Sequence, residues 1–429
     1  MNVILSETRT DQAGNAAGFL RQYEAMRERL PGDPQARARA AAWLDQHGLP
    51  RRSAEAWKYT DLRRLWEGGF GEIATDPQVA SRLLDRVLFE AGLAMDGEAA
   101  LPRLVFVDGL LSAELTRLPQ GYGCAAFDGV SAGTPVVHPM VALNTLLASD
   151  GAAIHVPAGV DAGRLLLVTL ATGTGGFHLR HRVVLDEGAS LSLLEIASGE
   201  GAYLNDGLFS FEVGAGAHVS HVRLQQDAPG ALSFSLVQAR LAERGSYDGF
   251  NLALGAALAR HEVHATLAGP QAIVHVNGAQ LLADRQVADL TSVIAHDAPN
   301  CNSRQTVKNV LTGRSRGVFQ GKIVVDRIAQ KTDGYQMNQA LLLSEEAEID
   351  CKPELEIYAD DVKCSHGATA GALDEEQLFY MRSRGIPAAE ARAILVRAFL
   401  DDALALVGDE PVRAVLDRAV AAWWVGRPA

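Results

Sequence analysis

The chain has 429 residues, of which 48% are hydrophobic and 21% charged. That balance describes an ordered globular protein with ample core, and the length predicts two or three units rather than one ordinary domain. A net charge of −13 excludes a broad nucleic-acid-binding face, and no apolar run approaches the roughly 18 residues that span a bilayer.

The opening residues, MNVILSETRTDQ, lack a basic region followed by an apolar run, so no secretory signal is read there. Residues 1–95 carry helix formers in stripes: FLRQYEAMRERL, then DPQARARAAAWLDQHG closed by Gly48 and Pro50, then VASRLLDRVLFEAGLA after Pro77. This is an N-terminal helical domain. Residues 96–371 change character. Short runs such as LPRLVFVDG, RLLLVTLA, SLSLLEIA, HVSHVRL, LSFSLVQARL, AIVHVNG and GKIVVD follow one another, separated by small and polar residues, with no intervening helical pattern. Small-residue corners at Gly188, Gly216 and Gly245 recur at intervals of 28 and 29 residues. A period of that size predicts a solenoid, and short strands make it a β-helix rather than a two-sheet sandwich.

Helical pattern returns in residues 372–429. Asp374 caps DEEQLFYMRSRG, with Glu375 and Glu376 in the first turn and Gly385 at its end. Pro387 starts a second helix, in which Ile394, Val396, Phe399, Leu400, Leu404 and Leu406 form a band too wide for this small unit to bury. A third segment ends at Trp423 and Trp424. The band suits either packing on the solenoid or docking of a partner.

Several motifs fail their structural context. GVFQGKI has neither the spacing of a phosphate loop nor a Ser or Thr after Lys322, and ATGTGG at 171–176 reads as a turn, so no nucleotide site is visible. The pairs His178/His181, His218/His221 and His261/His264 have metal-like spacing, but residues i and i+3 of a strand face opposite sides and cannot share an ion. Structural or surface roles are expected for them. Cys124, Cys301, Cys351 and Cys364 include no CxxC pair, so neither a disulfide framework nor a zinc knuckle is signalled and a reduced, cytoplasmic protein is expected.

The most informative stretch is CKPELEIYADDVKCSHGATAG, residues 351–371. Read as one regular strand, it puts Leu355, Ile357 and Ala359 on a core face and Glu354, Glu356, Tyr358, Asp360, Cys364 and His366 on the opposite, outward face. A thiol and an imidazole side by side suit soft-metal or sulfur chemistry, the alternative being a surface strand with no joint role.

EAWKYTDL at 55–62, NCNSRQ at 300–305, RGVFQGKI at 316–323, KTDGYQMN at 331–338 and DVKCSHGAT at 361–369 together resemble the SufB/SufD family of iron–sulfur cluster assembly proteins, most closely its SufD members. The order of the segments matches over nearly the whole chain. That resemblance implies a mainly β protein, a right-handed parallel β-helix core flanked by N- and C-terminal α-helical domains. It implies a non-ATPase scaffold that pairs with a SufB-like β-helix subunit and holds a SufC-like ABC-type ATPase by its C-terminal helices. His366 is implied to lie at the subunit junction as a ligand of iron or a transient Fe–S cluster, with Cys364 as a second candidate ligand. Cys301 carries no implied role, and Cys124 and Cys351 read as core or bystander thiols. A subunit that only stabilises its partner and a β-helix polysaccharide lyase are the alternatives; the second is disfavoured by 6% aromatic residues and by the lack of a matching acid cluster. A homodimer stays open, as does a flavin in the complex.

Overall fold

The computed structural model describes residues 15–97, 99–119, 123–127, 129–130 and 138–425. The opening MNVILSETRTDQ, and with it the signal-peptide expectation, lies outside them. The N-terminal helices are α1 (Ala17–Met26), α2 (Pro34–His47), α3 (Arg63–Glu67) and α4 (Pro77–Ala91), with a 3-10 turn at Glu55–Trp57. Two of their starts are capped by side chains: Asp33 and Asp76 each accept two backbone N–H groups at the first turn, with proline at the first helical position.

Nineteen strands follow among the described residues: β1 (Arg103–Val107), β2 (Leu110–Leu111), β3 (Cys124–Ala126), β4 (Ala152–Val156), β5 (Asp161–Ala171), β6 (Gly175–Leu185), β7 (Ser190–Gly199), β8 (Tyr203–Val213), β9 (His218–Gln226), β10 (Leu232–Leu241), β11 (Ser246–Ala253), β12 (Leu258–Leu267), β13 (Ile273–Leu282), β14 (Val287–His296), β15 (Asn302–Leu311), β16 (Arg316–Val325), β17 (Asp333–Leu342), β18 (Glu348–Ile357) and β19 (Lys363–Gly371). From β4 onward they alternate between two sheets. The first has the order β19-β17-β15-β13-β11-β9-β7-β5-β1-β2, the second β18-β16-β14-β12-β10-β8-β6-β4-β3. Each solenoid strand pairs in parallel with the strand two places on, so β4 to β19 make about eight coils of a parallel β-solenoid.

The predicted period is real, and its corner is a left-handed residue. Gly159, Gly188, Gly216, Arg244, Gln271, Asn300 and Lys331 have φ between 55° and 68°. Each N–H donates to a carbonyl one coil on, as from Gly188 to Ala215 at 2.9 Å and Arg244 to Pro270 at 2.9 Å. Gly245, read as the third corner, lies one residue past it; Arg244 takes the positive φ instead, at the steric expense glycine avoids.

The interior is filled by alternate residues of both sheets, such as Leu191 and Leu193 with Phe209 and Phe211. Helices cover the outer faces too. On the first sheet, α4 lies with α7 (Ala388–Leu404) and α8 (Glu410–Val425), packing Leu84, Leu88, Val396, Leu400 and Leu416 on Leu194, Leu224 and Leu252. On the second, α1, α2 and α5 (Pro139–Leu147) pack Phe19, Leu44 and Leu143 on Leu204, Phe234 and Leu258. Burial on both faces explains why many strands read as continuous apolar runs rather than alternations. It also explains α5, which corrects the reading of 96–371 as free of helix. All nine of its residues are buried, so it has no polar face and no 3.6-residue signal.

The two ends of the solenoid differ. At the N-terminal end the antiparallel pairs β1–β2 and β3–β4 close the sheets. At the other end β18 and β19, ten and nine residues long, are the outermost strands of their sheets; β18 is mostly half-buried and β19 largely exposed.

Candidate functional site

The 351–371 stretch is not one strand. It forms the end of β18 in the second sheet, a corner at 358–362, and β19 in the first. The corner resets the alternation, so the expected facing is corrected. Glu354 and Glu356 do point outward, where they meet Lys352 at 3.4 Å and Lys322 at 2.6 Å. Cys364, expected with them, instead packs with Leu355, Ile323 and Ala359 at the end of the interior. His366, two residues on, shares that inner column and is exposed on the last coil.

The register shows what stands beneath the pair. Ser303, Gly334 and Cys364 are cross-strand neighbours on β15, β17 and β19, and so are Gln305, Gln336 and His366. These residues come from the NCNSRQ, KTDGYQMN and DVKCSHGAT strings. The distinctive segments therefore build one feature, a polar column inside the open end of the solenoid. Ser303, Gln305 and Gln336 are fully buried. Ser292 of the second sheet donates to Gln305 Oε1 at 2.5 Å, and His296 Nε2 lies 2.9 Å from Ser303 Oγ. Among the described residues neither amide atom of Gln336, directly beneath His366, meets a hydrogen-bonding group. Gly321, from RGVFQGKI, leaves it room: a Cβ there would stand 3.0 Å from Gln336 Oε1.

The thiols are held in the protonated form. Burial pushes Cys364 up, only partly opposed by the Gly334 amide, and it also raises Cys351, Cys301 and Cys124. Cys351 borders the interior core, and Cys301 is buried with Sγ 3.4 Å from the Gly269 carbonyl oxygen. A thiol in such a setting becomes a ligand only when a metal displaces its proton.

EAWKYTDL serves a different purpose. Trp57 lies under the Arg260 guanidinium at 4.0 Å, Thr60 hydrogen-bonds Asp289, and Glu55 meets Lys352 at 2.7 Å. The segment clamps the N-terminal helices onto the outer face of the second sheet. The histidine pairs divide as expected. His181, His221 and His261 point inward, against Phe209, Glu195 and Ser235, while His178, His218 and His264 lie on outer faces.

At the C-terminus, Asp374 accepts the Glu376 and Gln377 amides to start α6 (Glu375–Ser383). The wide band on α7 divides in two: Val396, Leu400 and Leu404 are buried on the solenoid, whereas Ile394 is 43% exposed. Phe379 and Tyr380 of α6 are 73% and 59% exposed, so an apolar face remains uncovered on the α6–α7 pair.

The chain matches the family model described as the SUF system FeS cluster assembly SufBD core domain over residues 168–399. It is 33% identical to the iron–sulfur cluster assembly protein SufD of Escherichia coli over 415 residues, covering 93% of this chain and 95% of that protein. The chain belongs to the SufBD family. A SufBD family protein of Synechocystis is 30% identical, with 85% of each chain covered, and the chloroplastic protein ABCI7 of Arabidopsis thaliana is 28% identical over 86% of this chain and 81% of its own length. The SufBD core span runs from the last residues of β5 through β19 and most of α7, and includes the polar column and His366. No described helix is long and apolar enough to cross a membrane.

Proposed function

We propose that this chain is the non-ATPase scaffold subunit of a SUF-type assembly complex, and that it supplies half of the site where an Fe–S cluster forms. One observation carries the reading: His366 is exposed on the last coil of the solenoid, at the end where both sheets present an outermost strand, over a column built from the family's own segments. Long uncovered strands attract pairing. A SufB-like β-helix subunit would cover β18 and β19 and complete the ligand set. A second copy of this chain is the competing occupant of the same edge.

His366 is the principal ligand in this reading, offering a neutral imidazole nitrogen to iron. Cys364 is its reserve partner, since its thiol is half-buried and must lose its proton to the arriving metal. The uncovered face of Phe379, Tyr380 and Ile394 would take a SufC-like ATPase, whose movement could open the shared site and release the cluster. Anaerobic cluster reconstitution on the assembled complex tests the role of His366, and co-purification with each partner tests the two surfaces.

A further inference from the structure

A second set of donors lies on the outer face of the second sheet, away from His366. His138 caps α5, while Glu262 and His264 are two residues apart on β12 and so share one side of the strand. His138 Nε2 stands 3.2 Å and His264 Nε2 2.8 Å from the same oxygen, Glu262 Oε1. All three ligand atoms lie within 4.8 Å of one another. We propose that His138, Glu262 and His264 form a binding site for a divalent first-row cation of the iron(II) or zinc kind, distinct from the assembly site at His366.

The His138–Glu262 spacing already suits an ion, and the 2.8 Å between His264 and Glu262 need open by only a few tenths of an ångström to admit one. Bonds of about 2.1 Å from nitrogen and oxygen donors around one cation place neighbouring donors roughly 3 to 3.4 Å apart. The carboxylate is also oriented from behind. Arg260 Nε holds Glu262 Oε2 at 3.0 Å, and the guanidinium is itself fixed by Asp289 at 2.5 Å and by the Trp57 ring. Glu262 Oε1 is thereby left to face the imidazoles, which is the supporting-shell arrangement that metal carboxylates require. Two carboxylates, Glu262 and Asp289, stand against one guanidinium, so with neutral imidazoles the pocket carries a net negative charge that favours a cation. Access is one-sided: His138 and Glu262 are buried, and the His264 side chain is 22% exposed. Two imidazoles and one carboxylate with open positions match iron(II) better than magnesium or calcium, which prefer oxygen alone.

Binding has a local consequence that identifies the site. His138 Nδ1 accepts the Met140 amide at 3.2 Å, so without a cation the ring proton sits on Nε2 and is donated to Glu262. Coordination through Nε2 moves that proton to Nδ1, and the Met140 N–H loses its acceptor at the start of α5. The i, i+3 argument against His261 and His264 still holds, because the third ligand comes from a helix cap 124 residues from Glu262.

The test is anaerobic titration of the whole chain with Co(II), read by its ligand-field absorption, and then with Fe(II). Saturation near about one equivalent is expected in the parent and in His366→Ala, with affinity at least about tenfold weaker in His264→Ala, which removes a partly exposed ligand. Thermal unfolding checks that this variant keeps its fold. Amide exchange at Met140 should quicken when Co(II) is added. Titrations that His264→Ala leaves unchanged, the lack of ligand-field bands, or a Co(II) complex that leaves Met140 protected would each overturn the assignment. Survival in His366→Ala keeps this outcome independent of the assembly site.

Discussion

His296 offers a worked test of the interior. It is fully buried at the end of β14, with Nε2 2.9 Å from Ser303 Oγ, and burial lowers its pKa from 6.5 to about 4. Its folded pKa is thus depressed, so the unfolded chain binds the proton first and stability falls as pH drops below 6.5. Between pH 7.5 and 5 the unfolded imidazole becomes charged while the folded one stays neutral. At about 1.4 kcal/mol per pH unit below 6.5, this one residue costs about 2 kcal/mol at pH 5. His296→Gln keeps a polar group near Ser303 but cannot titrate. Urea unfolding of parent and variant at both pH values should therefore show their stability difference shrinking by about 2 kcal/mol on acidification. A difference that stays constant would refute the claim that His296 is neutral and dry. His181 and His261, lowered by burial to about 4 and about 3, add to the acid sensitivity of the parent in the same direction.

Other perturbations address other parts of the structure. Gln271→Gly relieves a left-handed corner at φ 61° and should raise the unfolding free energy by roughly 0.5 kcal/mol after the added freedom of the unfolded chain is counted; unchanged or lower stability in urea contradicts the corner assignment. Gln336→Leu replaces a buried amide that has no partner among the described residues and should be neutral or stabilising by about 1 kcal/mol, while lowering cluster formation if that amide serves the His366 site. Phe379→Asp should alter stability by no more than about 0.5 kcal/mol, yet weaken capture of a SufC-like ATPase, the proposed partner, by about 1 kcal/mol or more in calorimetry.

Much of this fold is legible in the sequence because its signals are local. Asp33, Asp76 and Asp374 cap helices as their positions suggest, and the glycines at 188 and 216 mark true corners. The corner at Arg244 is marked one residue late by Gly245, and those at Gln271, Asn300 and Lys331 are silent because these residues accept the same strained φ without glycine. The corner at 358–362 does leave a mark, a break of alternation at Asp360–Asp361 before Val362, and carrying a single parity across that break puts Cys364 on the wrong face. α5 is masked by being buried all round. His366 could be singled out from its segment, but its supporting column could not, since Gln305 and Gln336 meet it only through coils about thirty residues apart. The Glu262 cluster joins residues 124 apart, beyond the reach of any spacing rule.

The proposed role of His366 is to provide a ligand at a site shared between subunits. Its most direct measurement is anaerobic iron–sulfur reconstitution of the assembled complex with His366→Ala, followed by iron and sulfide analysis and visible absorption. The expected result is an intact complex that builds little or no cluster. A His366→Ala complex that assembles and transfers clusters like the parent would contradict it.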